Sequence, residues 1–119
     1  MIVLMFNEQE EFLSYQFTYI TCSDEAEARK IATRLVELGL AACCNIVPKI
    51  KSVYRWDGEV VESCEVLLLA KSKESKLGEI ETLVKEMHSY DSPCVLSVPI
   101  IGGLKSYLTW LDDNLEETN

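Results

Sequence analysis

Between residues 15 and 22 the chain crowds β-branched and aromatic side chains together (Phe17, Thr18, Tyr19, Ile20, Thr21), which predicts a strand. The period then changes. Ile31, Leu35 and Leu38, with Ala28 and Ala32 beside them, recur on one helical face. Ser23 and Asp24 offer N-cap oxygens, Glu27 follows at capping-box spacing, and Gly39 supplies a stop, so a helix is predicted over 24–38. Residues 41–53 read as a long extended segment in which Pro48 forces an edge position or a bend. Asp57-Gly58 marks a hairpin, and 60–71 is its return strand. The run from Val66 to Ala70 is apolar at every position, which predicts burial on both faces.

Ser72 to Ser75 then offer caps for a second helix, with Leu77, Ile80, Leu83, Val84 and Met87 at helical spacing up to His88. Residues 94–100 form a short apolar strand. Tyr107, Leu108 and Leu111 mark a terminal helix. The order is βαββαβ with an extra C-terminal helix, an α+β, ferredoxin-like sandwich. Residues 1–14 are read as an N-terminal extension and 15–119 as the domain. The pattern puts both helices on one face of an antiparallel sheet. The other face needs a cover, and a second copy of the chain is the natural one.

Composition narrows the function classes. With 20 acidic against 11 basic residues the formal charge is −9, which opposes binding to phosphate backbones. Nucleic acid is therefore excluded as a partner. No apolar run approaches the length of a membrane helix, and the apolar start at Met1 to Phe6 lacks a basic flank and a cleavage site. Five cysteines, at 22, 43, 44, 64 and 94, are odd in number and lack a Cys-x-x-Cys pair. They read as reduced thiols in a cytoplasmic protein.

Several spaced stretches carry a resemblance. Gly39-Leu40-Ala41-Ala42-Cys43-Cys44-Asn45-Ile46-Val47-Pro48, continued by Ser52-Val53-Tyr54-Arg55-Trp56-Asp57-Gly58, resembles the "LAAC-N-P … S-Y-W-G" signature of the divalent-cation tolerance (CutA) family. His88-Ser89-Tyr90-Asp91-Ser92-Pro93, then Val98-Pro99 and Tyr107-Leu108-x-Trp110, resembles its "HPYE-x-P … LP … YL-W". Ser89, Asp91 and Cys94 stand where the family carries Pro, Glu and an acidic residue. The resemblance implies a homotrimer similar in architecture to the PII signalling proteins, a link to copper and other divalent metals, and no firmly attached reaction. It also implies metal ligands at a first-strand Cys and a His pair, whose counterparts here are Ile20 and Met87-His88. Cys22 lies two residues on from Ile20, on the same strand face.

The residues themselves leave both a structural and a chemical role open. His88, the single histidine, suits the carbonyl end of a helix and equally suits a metal. Cys22 and Cys43 are either small core residues or soft ligands, with Met87 as a further candidate. Cys44, Cys64 and Cys94 have no motif behind them. Tyr54, Arg55 and Trp56 before the hairpin turn, and Trp110 near the C-terminus, are the residue types that anchor interfaces. Asp112-Asp113 and Glu116-Glu117 read as solvated surface. No phosphate-binding glycine loop, G-x-S-x-G or H-E-x-x-H is present, so the chain is not read as an enzyme. The expected function is a trimeric binding protein for copper-like divalent ions, with copper or another divalent metal as cofactor and no organic cofactor. The alternative is a PII-like signalling or scaffold module with a small ligand or protein partner.

Overall fold

The computed structural model describes residues 14–117. The expected extension over 1–14 lies outside them, apart from Ser14. The elements are β1 (Tyr15–Cys22), α1 (Glu25–Glu37), β2 (Cys43–Trp56), β3 (Glu59–Lys73), α2 (Leu77–Met87), β4 (Val95–Pro99) and α3 (Lys105–Asp113). The sheet order is β2-β3-β1-β4 with every neighbouring pair antiparallel, the ferredoxin-like α+β arrangement that the pattern predicts.

Local chemistry sets the ends of α1. The Asp24 carboxylate accepts the Glu27 N–H at 2.8 Å. Glu27 reaches back to the Ser23 N–H, also at 2.8 Å, so two helix-start donors are satisfied reciprocally. At the other end Gly39 takes φ 68°, and its carbonyl accepts the Glu116 N–H at 2.8 Å. A Cβ there would lie 2.8 Å from that nitrogen, so both the turn and the close approach require glycine.

The start of α2 differs from expectation. Ser72 to Ser75 provide no cap; the chain enters through a 3-10 turn, Glu74–Lys76, and α2 has no side-chain cap bond. Ser72 is buried within β3, where its hydroxyl donates to the Leu40 carbonyl at 2.6 Å. A serine that must satisfy itself inside the core is not free to cap a helix.

The core lies between the sheet and helices α1 and α2. Ile20, Cys22, Val66, Leu68 and Ala70 of β1 and β3 meet Ala28, Ile31, Leu35, Ile80 and Val84 of the helices. On the opposite face Leu67 and Leu69 are half-buried, so the expected two-sided burial is complete on the helix side alone. That second face is partly covered by α3, where Leu108 and Leu111 pack with Tyr15 and Ala42. Asp112 of α3 accepts the Tyr15 hydroxyl and pairs with Lys73. It is thus a clasp between α3 and the sheet and not the solvated charge expected.

Pro48 sits where the pairing shifts. Val47 faces Leu67 and Ile50 faces Glu65, so two residues of β2 oppose one of β3. Lys49 takes φ 60° in this bulge. Beyond it the β2–β3 hairpin runs on past the helices to the turn at Asp57-Gly58, with Trp56 and Val60 two-thirds exposed.

Candidate metal centre

Three elements end at one point. β1 finishes at Cys22, the following turn begins α1 and brings Glu27 alongside, and α2 finishes at Met87 with His88 as its C-cap. Ligand atoms of Cys22, Glu27 and His88 all lie within 4.8 Å of one another. Glu27 Oε2 is 3.7 Å from His88 Nε2.

The hydrogen bonds fix the state of each member. His88 is buried, and its Nε2 lies 2.8 Å from the Thr21 carbonyl. A carbonyl can only accept, so Nε2 carries the proton. Nδ1 accepts the Tyr90 N–H at 3.1 Å and is therefore the bare nitrogen of a neutral ring. Glu27 accepts the Ser23 N–H and hydroxyl on Oε2, and the Ser89 N–H at 2.6 Å on Oε1. Burial pushes its carboxyl upward, but hydrogen bonds from the backbone and side chains of Ser23 and Ser89 outweigh that and bring it down to about 2. Burial first, then the charges of Glu27, Glu65 and Asp24, push the Cys22 thiol up to about 12. The centre thus brings together a thiol, an imidazole and a carboxylate.

That donor set would suit a borderline or soft divalent ion in kind, since it offers sulfur, nitrogen and oxygen from three elements. Glu27 and His88 are already engaged by hydrogen bonds. An ion held on Nε2 would take the place of its proton and of the Thr21 bond, and one held on Cys22 would take the place of the thiol proton. Uptake here is therefore coupled to proton release and local rearrangement.

The other expected ligands lie elsewhere. Cys43 pairs with Lys71, which pairs in turn with Phe17, so it sits toward the far end of β1 from Cys22. Strand alternation puts it on the sheet face opposite the core, whereas its neighbour Cys44 packs into the core. Met87 is exposed and lies beside Glu27, Lys30 and Ser89 at the outer rim. Glu27 is the member that sequence reading missed, because its capping-box role accounted for it fully.

Behind the centre, on the other face of the sheet, is a cleft of about 710 Å³. It is lined by Thr21, Tyr54, Trp56, Glu65 and Tyr90 among others. Of the expected interface residues, Tyr54 and Trp56 stand on this wall. Arg55 also borders it and donates to the Gly58 carbonyl at 3.1 Å. Trp110 is on α3, 5.5 Å ring to ring from Tyr107. The centre and the cleft touch through the loop after α2, where the His88 and Tyr90 rings are 4.7 Å apart.

Comparison with known proteins agrees with this architecture. Residues 16–114 match the family model described as CutA1 divalent ion tolerance protein. The divalent-cation tolerance protein CutA of Archaeoglobus fulgidus is 43% identical over 102 residues, covering 86% of this chain and 99% of the relative. Its namesake from Thermus thermophilus is 47% identical over 95 residues, covering 80% and 92%. A solved Archaeoglobus fulgidus structure, described as a periplasmic divalent cation tolerance protein CutA, superposes with a TM-score of 0.83 at 43% identity, over 86% of this chain and 99% of that one. With the family model spanning nearly the whole described domain, the chain belongs to the CutA1 divalent ion tolerance family.

Proposed function

We propose that the chain is a trimeric binding protein that takes up copper-like divalent ions at Cys22, Glu27 and His88. The observation that carries this reading is the convergence of those three ligand atoms within 4.8 Å at the meeting of β1, α1 and α2. The names of its relatives support a role in tolerance of such ions. Cys43 and Met87 are not part of the proposed ligand set.

The same geometry favours a binding protein over a catalyst. A thiol held near 12 supplies little thiolate, and both nitrogens of His88 are engaged, so a Cys–His nucleophile is disfavoured. Free thiols at all five cysteines suit the cytoplasm, the proposed location.

The proposed trimer rests on unlike surfaces at the two sides of the sheet. On one side the hairpin offers Val53, Trp56 and Val60; on the other, edge strand β4 offers Leu96 and Val98. An apolar groove of about 270 Å³ lies between the sheet and α3, lined by Phe17, Leu69, Leu104 and Tyr107 among others. Pairing one copy's hairpin with the next copy's β4 side is a heterologous contact, which closes as a ring when three copies complete the rotation, and it covers edges that otherwise invite aggregation.

Native mass spectrometry of the reduced protein during Zn(II) and Cu(II) titration tests both parts. The expected result is a trimer that takes up a fixed number of ions, with uptake lost in both Cys22→Ala and His88→Ala. Trp56→Ala is expected to shift the mass toward monomer on dilution. Uptake that is absent, or indifferent to both ligand changes, defeats the metal reading; a monomer in the unaltered protein defeats the ring.

A further inference from the structure

The cleft behind the metal centre contains a group that no role described so far explains. Glu65 is only 8% exposed, yet its carboxylate receives a single hydrogen bond among the described residues, from the Tyr90 hydroxyl at 3.0 Å. A carboxylate has room for about four such bonds, and a buried one without a cation or several donors is costly. Glu65 makes no ion pair among the described residues, and Arg55, the one cationic residue on the cleft wall, turns toward the hairpin carbonyl of Gly58.

The rest of the wall has matching chemistry. Tyr54 and Trp56 come from the hairpin and Tyr90 from the loop before β4, and aromatic faces attract organic cations. Asp91 adds a second carboxylate to the same space, while Thr21 and Ser92 add hydroxyls. The volume, about 710 Å³, is that of a small-molecule site and far larger than an ion needs. An anionic ligand would meet two carboxylates and a chain of charge −9.

We propose that this cleft binds a protonated organic amine, with the ammonium group on Glu65 and its apolar part against Tyr54, Trp56 and Tyr90. The site gives the small-ligand reading of the family fold a chemical class. It shares no ligand residue with the metal proposal, although Thr21 and Tyr90 of its wall also hold His88, and Trp56 belongs as well to the proposed contact between copies. It also differs from general attraction of cations to an acidic surface, because a buried charge pair is screened far less by salt than an exposed one.

Isothermal titration calorimetry with benzylammonium chloride, with benzyl alcohol as its neutral counterpart, tests the assignment. The unaltered protein is expected to bind benzylammonium saturably, at least tenfold more tightly than benzyl alcohol, and to retain most of that affinity at high salt. Glu65→Gln is expected to lower the affinity at least tenfold. The alcohol comparison and the salt series use the unaltered protein, so they decide the matter even if that variant does not fold. Equal affinity for amine and alcohol, loss of binding with salt, or no binding at all overturns the proposal. A neighbouring copy's lysine seated on Glu65 would give the last of these results.

Discussion

The Cys22–Glu27–His88 centre and the Glu65 cleft lie back to back on the two faces of the sheet, and they treat charge in opposite ways. On the helix side one carboxylate is held by the backbone and side chains of two serines, and the single imidazole uses both nitrogens. On the other side a carboxylate no more exposed has, among the described residues, one phenol for company. The first arrangement stabilises the fold and makes uptake costly at His88, where a ligand on Nε2 would displace the bond to Thr21. The second leaves an acceptor underused, so a ligand adds bonds without removing one. Proximity of ligand-type side chains therefore does not by itself rank sites; the state of their existing bonds does.

The strongest way to break this contrast is His88→Ala. It removes the bond to the Thr21 carbonyl and the acceptor for the Tyr90 N–H, and it leaves a cavity against both. A loss of about 3 kcal/mol is expected from two lost bonds and their orphaned partners, read by urea unfolding. Because Tyr90 is released, the cleft should loosen as well, and any amine affinity should fall with it.

Glu27→Gln sharpens the contrast through pH. The folded carboxyl lies at about 2, below the ordinary 4.5 expected of the unfolded chain. Its stabilisation is therefore fully present above about 4.5 and is lost as pH falls toward 2. The variant lacks that contribution, worth about 3 kcal/mol in full and about 2 kcal/mol once solvent screening of the partly buried group is allowed for, so it should be less stable than the parent at neutral pH by the smaller figure. The two unfolding curves should then converge at the acid end of that window. A difference that is constant with pH would mean that the serine bonds do not hold the charge.

A smaller effect separates the two sides again. Tyr90→Phe removes the one donor to Glu65 and leaves the His88 contacts in place, since those use the residue 90 backbone and ring. Stability should fall by about 1.5 kcal/mol, the low end for a hydrogen bond to a charged group that is left buried. Zn(II) uptake should stay unchanged. A change in uptake would show that the cleft and the centre act as one site.

The fold was legible because its signals are local. Strand composition, the Asp24/Glu27 cap and the Asp57-Gly58 turn each act within a few residues, and together they leave few topologies. The site was legible only in part. Cys22 and His88 stand out as residue types, but Glu27 looks complete as a capping residue until the end of α2 arrives beside it. Cys43 carries the same chemistry as Cys22, and only sheet pairing shows that it lies at the far end and on the other face. Glu65 reads as one acidic residue in a strand. Its isolation appears when Tyr90, 25 residues away, closes over it. Asp112 likewise reads as surface charge until α3 folds back onto Tyr15 and Lys73. These are long-range facts, set by packing and not by the nearest neighbours in sequence.

The bulge at Pro48 and Lys49 has a consequence for how this chain tolerates changes in length. Cross-strand partners share a face, so the pairs Val47–Leu67 and Ile50–Glu65 lie on the cleft side together although they are an odd number of residues apart along β2. The extra residue is absorbed locally, and Tyr54 and Trp56 farther out stay on the wall that Glu65 occupies. Deleting Lys49 would straighten the strand without turning either aromatic over. Adding a residue between Ile50 and Trp56, where pairing is continuous, has no such slack and would carry Trp56 to the opposite face. The hairpin thus has one place where an insertion or deletion is harmless to its pattern, and it lies at its root.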